Sequence, residues 1–247
     1  MPREACLRIL RAFKSVGVLD VPCAGSIVAG TRGTTLDSKL KRKLEQALAV
    51  VDDHATRGTR LRDDAQRLWK RCQKLVAMKL VGPEADLDAL ELACHALQLP
   101  LRQKATTGGK FGRTNLKDRA EQAAELLVSL FDGEMDENLL DRAARLLHEM
   151  PQRSPVPDEA RILADAVNLD DFGVIGLLTQ MIQLTRLGDG IGQLAEGSEK
   201  RDQYGYWEAR LKDGFHFEPI RKIARQRLEH ARQTAKMLLE EMSEDQA

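Results

Sequence analysis

Residues 158–176 read DEARILADAVNLDDFGVIG. Apolar residues return every three to four positions, so the spacing predicts a helix from Asp158 to Val167 and a second from Phe172 to Leu187. The same period spreads outward in both directions. Toward the N-terminus it predicts helices from Glu137 to Glu149, from Leu116 to about Leu130 behind a cap at Thr114 or Asn115, and from Leu87 to Leu99, stopped at Pro100. Before these, one helix carries Leu61, Leu68, Leu75 and Val76 and ends ahead of Gly82-Pro83; another is capped by Asp37, carries Leu40, Leu44, Leu48 and Val51, and is broken at Thr56 to Thr59. Toward the C-terminus the chain is expected to loosen between Gly188 and Gly197. A last long helix starts near Pro219 and carries Ile220, Ile223, Leu228, Ala231, Ala235, Leu238 and Leu239. The expectation is an all-α bundle with its body over residues 36–247. Residues 1–35 form an N-terminal arm, a helix from Arg3 to about Ser15 followed by a loop of glycines and prolines.

Composition agrees with this class. In 247 residues only 4% are aromatic and 31% are charged, and Leu, Ala, Arg and Glu, all good helix formers, dominate. No stretch reaches the roughly 18 to 20 uncharged apolar residues of a membrane span. Cys6, Cys23, Cys72 and Cys94 have no CxxC spacing, and Cys72 and Cys94 sit in apolar helical stretches as core residues, so a reduced, cytoplasmic location is expected. Lys and Arg balance Asp and Glu at 38 each, which argues against a nucleic-acid binder. The balance is uneven: residues 1–80 hold 17 basic and 8 acidic side chains, and the rest hold 21 and 30, so the two parts attract each other.

Few motifs carry chemistry. Gly25 to Thr31 has phosphate-loop spacing, but Thr31 stands where the lysine is needed and no strand precedes it. The loop Lys104 to Arg113, with Gly108, Gly109 and Gly112, precedes a helix start and reads as a connector, with an anion site as its functional alternative. The five histidines, His54, His95, His148, His216 and His230, stand singly, with no HxxxH pair. Tyr204, Tyr206, Trp207, Phe215 and Phe217 are five of the ten aromatics and lie within fourteen positions, which predicts a packed nucleus. Arg201, Arg210, Lys212 and His216 are interleaved with them and would suit a nucleobase or phosphate.

Several blocks, in order, resemble the bacterial HD-domain phosphohydrolases of the small, stand-alone type. They are Arg67-Leu68-Trp69, then Leu90 to Ala93, then Glu159 to Ala166 continuing through Leu169-Asp170 and Gly173 to Gly176, then Tyr206 to Asp213, then Arg221 to Ala224. The resemblance runs from residue 60 or so onward, with Ala164 to Gly176 its most specific part. It implies an HD-like fold, in which a His, a His-Asp pair and a later Asp hold a divalent metal. Here the first His falls on Asp64, the pair on Leu97-Gln98 and the final Asp on Val167, with Asp165 and Asp170 as neighbours. A register shifted by two would bring His95 to the pair, but it breaks the match at Leu92-Ala93.

A divalent metal needs several N or O ligands at about 2.0 to 2.2 Å, and Leu97 and Val167 offer none. The expectation is a degenerate HD-like domain, a pseudoenzyme without cofactor. It would act as a regulatory or scaffold module and bind a nucleotide or other phosphorylated ligand through Asp165, Asn168, Asp170, Arg201, Tyr204, Arg210 and Lys212. The alternative is an active phosphohydrolase with manganese or iron in a site rebuilt from Asp64, His95, His148, Asp165 or Asp170. A protein partner or homo-oligomer is expected, and no membrane. At the former metal centre, Asp64 would need an Arg or Lys partner, because an isolated buried carboxylate is strongly disfavoured.

Overall fold

The computed structural model describes residues 36–51, 57–58, 60–106, 115–186 and 188–244, and within them the chain is all-α. The arm at 1–35, His54, the loop at 107–114, and Cys6 and Cys23 lie outside the described residues. Among the described residues eleven helices follow one another: α1 (Ser38–Leu48), α2 (Arg60–Ala77), α3 (Leu87–Ala96), α4 (Leu99–Thr106), α5 (Leu116–Phe131), α6 (Glu137–Glu149), α7 (Asp158–Asp171), α8 (Val174–Arg186), α9 (Ile191–Gln203), α10 (Tyr206–Asp213) and α11 (Glu218–Glu244). Between α1 and α2 a two-residue antiparallel pair, β1 (Val50–Val51) with β2 (Arg57–Gly58), sets Val50 opposite Gly58. Among the described residues no helix is long and apolar enough to cross a membrane.

Helix starts follow side-chain chemistry. Asp37, Asp86, Asn115 and Asp136 each accept a bond from a backbone N–H in the first turn that follows, at 3.0 to 3.2 Å. Several boundaries differ from the sequence expectation, each for a physical reason. Val51, expected on the first helix, lies in β1 instead, because α1 ends at Leu48 where the Ala49 backbone turns extended (φ −71°, ψ 119°) and the chain enters the pair with β2. Lys104, expected to open the loop, lies within α4, which runs on to Thr106. Pro100 does not stop α3; it sits in the first turn of α4, where a missing N–H is harmless. The run Asn168 to Asp171 extends α7 by a further turn, because Leu169 is buried and Asn168 donates to the Gly214 carbonyl. The stretch from Gly188 to Gly197 does not stay loose: from Ile191 it is α9, anchored by buried Leu194 and Ala195, with the Gln193 side chain accepting from the Gly190 N–H at 2.9 Å.

The core is centred on α3, whose Leu90, Leu92, Ala93, Cys94 and Ala96 are all buried. Residues 89–96 are all buried, Glu91 and His95 included, so this helix is covered all round. It packs against α2, α5, α6 and α7, and α2 packs in turn on α7. The helices carrying Arg67, Ala93 and Ala164 therefore share one core. Beyond α7, helices α8 to α11 pack mainly on one another. The Phe172 ring joins the two groups, edge-on to Trp207 with centroids 5.1 Å apart and to Phe215 at 5.2 Å.

Gly173 lets the chain turn sharply from α7 into α8. Its φ is +92°, and a Cβ there would lie 3.1 Å from the Arg227 Cβ on α11. Gly173→Ala should cost about 2 to 3 kcal/mol, combining a sparsely allowed backbone with a steric neighbour. At Gly133, with φ +68° and open space around it, the same change should cost about 1 kcal/mol. Urea unfolding checks this; equal losses at the two positions would remove the role of Arg227.

Candidate functional site

Arg60, Asp64, Arg67 and Arg71 fall at i, i+4, i+7 and i+11 of α2 and therefore share one face. That face meets the last turn of α7. Asp64 takes the Arg67 guanidinium at 2.7 Å and Arg60 at 3.5 Å, the basic partners its partial burial calls for. Arg67 also reaches Asp170 at 3.5 Å, and buried Arg71 donates to Asp170 at 2.5 Å and to the Ala166 carbonyl at 3.0 Å. From α5, Arg119 donates to the Leu97 carbonyl at 2.8 Å. From α10, Arg210 donates to Asp171 and to the Asn168 side-chain oxygen, both at 2.7 Å, and stands over the Phe172 and Tyr206 rings at 5.5 and 5.8 Å. From α11, Arg227 donates to the Leu169 carbonyl at 3.2 Å.

The electrostatics of this cluster are strained toward positive charge. Burial lowers the Arg119 guanidinium to about 10; Asp171, Asp170 and Asp64 pull it back up, and Arg60 pushes it further down. Burial and the adjacent Arg71 both lower Arg227, against Asp170 alone. Arg67 and Arg210 are raised despite burial, the first by Asp170 and Asp64, the second by Asp171 and Tyr206. Six guanidiniums thus share three carboxylates, Asp64, Asp170 and Asp171.

At the four positions where the resemblance places a metal, Leu97 is fully buried, Gln98 is buried, and Asp64 and Val167 are half-buried. Arg119 ties the Leu97 backbone to the field of Asp64 and Asp170. The donor set does not fit a divalent ion: two side chains are hydrocarbon, one is a neutral amide, and Asp64 is held by guanidiniums. The alternative set does not fit either. His95 bonds through Nδ1 to the Glu91 carbonyl, His148 lies exposed on α6, and Asp165 is engaged elsewhere. Among the described residues no group of three or more His, Cys, Asp or Glu could hold a metal ion.

Asp165 is fully buried (0% exposed) and its carboxylate accepts from the backbone N–H of His216 at 2.9 Å, from that of Phe217 at 3.1 Å, and from His216 Nδ1 at 2.8 Å. It ties α7 to the entry of α11. Arg201 donates to Gln180 and stands 5.8 Å from the Trp207 ring centre. Tyr204 is 83% exposed and Lys212 is exposed. Of the sequence candidates, Asn168, Asp170 and Arg210 belong to the arginine cluster. The aromatic stretch divides: Trp207 and Phe215 are buried, and Tyr204 is outside the nucleus.

Arg60, Arg67, Arg71, Arg119 and Arg227 were not among the candidate site residues read from the sequence, although Arg67 opens the first block of the resemblance. The α2 members had a signal in their 4-3-4 spacing around Asp64. Arg119 and Arg227 had none.

No family model matches the chain, and no curated protein matches it. Among solved structures the chain is similar to the crystal structure of selenomethionine YpgQ from Bacillus subtilis, with a TM-score of 0.48 and 16% identity over 81% of this chain and 94% of that one.

Proposed function

We propose that the chain is a degenerate HD-like module that lacks metal catalysis and acts in regulation or scaffolding by holding a nucleotide or other phosphorylated ligand on its arginine cluster. The observation that carries this reading is the excess of six guanidiniums over three carboxylates where α2, α5, α7, α10 and α11 meet. Guanidiniums match phosphate oxygens in bidentate geometry, and an anion placed among them would relieve the repulsion between Arg71 and Arg227. A protein partner or a second copy would read the ligand state.

Calorimetric titration with inorganic pyrophosphate and with nucleoside mono-, di- and triphosphates tests this. Binding is expected without hydrolysis, weaker by about tenfold or more in Arg227→Gln and weaker again at high salt. Manganese or iron should neither bind stoichiometrically nor release phosphate. Manganese-dependent phosphate release above background would replace this reading with that of an active phosphohydrolase; no binding of any phosphate compound would remove the ligand from it.

A further inference from the structure

Among the described residues Asp64, Asp170 and Asp171 are each met by guanidiniums, and Asp165 is not. Its carboxylate is fully buried, and the backbone N–H groups of His216 and Phe217 that it accepts from are neutral donors. The ionisable group against it is the His216 ring, with Nδ1 2.8 Å from Oδ1. A buried carboxylate without a counter-charge is costly, so this site attracts any positive charge that forms on the ring.

The same bonds fix the tautomer. A carboxylate that takes two backbone N–H groups is the acceptor toward the ring as well, so Nδ1 carries the hydrogen and Nε2 of the neutral ring carries a lone pair. Among the described residues Nε2 makes no hydrogen bond, and it is not one of the buried polar atoms left without one. The side chain is 20% exposed, so Nε2 is the ring nitrogen open to solvent. A buried carboxylate that orients an imidazole from behind and leaves its far nitrogen open is an arrangement that activates histidine toward an electrophile. Arg221 adds a cation nearby, since it donates to the carbonyl of Phe215, the residue before His216, at 2.9 Å.

We propose that His216 is a phosphoryl-accepting residue, modified at Nε2 by a small donor of the phosphoramidate class. The Nε2 lone pair attacks phosphorus and forms the new N–P bond. The P–N bond of the donor breaks, and its electron pair leaves with ammonia. The proton on Nδ1 stays in place, and the positive charge now on the ring lies against Asp165, which is a positioning residue. Arg221 supplies charge opposite in sign to the phosphoryl group. The proposal does not rest on ligand binding at the arginine cluster.

Incubation of the full chain with potassium phosphoramidate at neutral pH tests it, with modified histidines located by mass spectrometry and the ring nitrogen identified by phosphorus-31 NMR. His148 and His230 are internal controls: both are exposed, and among the described residues neither ring pairs with a carboxylate. His216 is less exposed than either, yet it is expected to react at least about tenfold faster, and at Nε2. Asp165→Asn should remove that lead and leave the rates at His148 and His230 unchanged. Because this variant also loosens the fold, the unchanged chain in concentrated urea supplies a second reading, in which the three histidines should react alike. A His216 rate no greater than the controls, modification at Nδ1, or a lead that survives Asp165→Asn or urea overturns the proposal.

Discussion

Asp170→Asn should lower stability by about 3 kcal/mol, a fall of roughly 6 to 12 °C in the unfolding midpoint for a chain of this size. Arg71 is buried and donates to Asp170 at 2.5 Å, with Arg67 on the same oxygen at 3.5 Å. Removing the negative charge leaves a buried guanidinium with neutral acceptors alone, and with Arg227 close enough to be lowered by it. The asparagine keeps the shape and one acceptor, so the loss reports charge rather than packing. Replacing both partners, as Arg71→Met with Asp170→Leu, should recover much of it, since a buried ion pair is worth little against a well-packed hydrocarbon of similar volume. Urea midpoints of the single and double variants decide the matter. A single-variant loss below about 1 kcal/mol would mean that Arg71 is served by its carbonyl contact alone.

Asp165→Asn should cost a similar amount, about 3 kcal/mol, by a different route. The carboxylate of Asp165 takes both backbone N–H groups that lead into α11 and the His216 ring as well. An amide keeps one oxygen and turns an NH2 group toward N–H donors. Two donors facing one another around a fully buried side chain leave both unsatisfied. The expected signature is local as well as global: hydrogen exchange should quicken first at the amides of residues 216–218 and 220–221, ahead of α2 and α3. Loss of stability with unchanged exchange at the start of α11 would show that the bonds are not what holds this helix.

Helix identity was legible because the apolar period repeats wherever a helix covers a core. Glu137 to Glu149 and the cap at Asp37 follow directly from residue type and spacing. Boundaries were less legible where partners far along the chain decide them. The polar run Asn168 to Asp171 looks like a helix end by itself, and it stays helical because Gly214, Arg210 and Arg71 take its side chains. Phe172 lies outside the aromatic stretch and is still the ring that joins Trp207 and Phe215. The arginines were least legible of all. A charged residue on a helix reads as a solvated face unless its partner is known, and Arg119 meets the field of Asp64 and Asp170 across 55 and 51 positions of sequence.

The bond from Asp165 to residues 216 and 217 also sets an order of events as the chain is made. At about 5 to 20 residues per second, the 52 positions between Asp165 and Phe217 take roughly 3 to 10 s to emerge. Through that interval Asp165 has no backbone donors to accept from, and only water can satisfy it. The α7 segment must then stay hydrated on that side even while Ile162 and Leu163 can already find the earlier helices. Closure of the carboxylate waits for the ribosome, so the nascent chain passes through several seconds in which a chaperone has access to the part of α7 that residues 216 and 217 later bond.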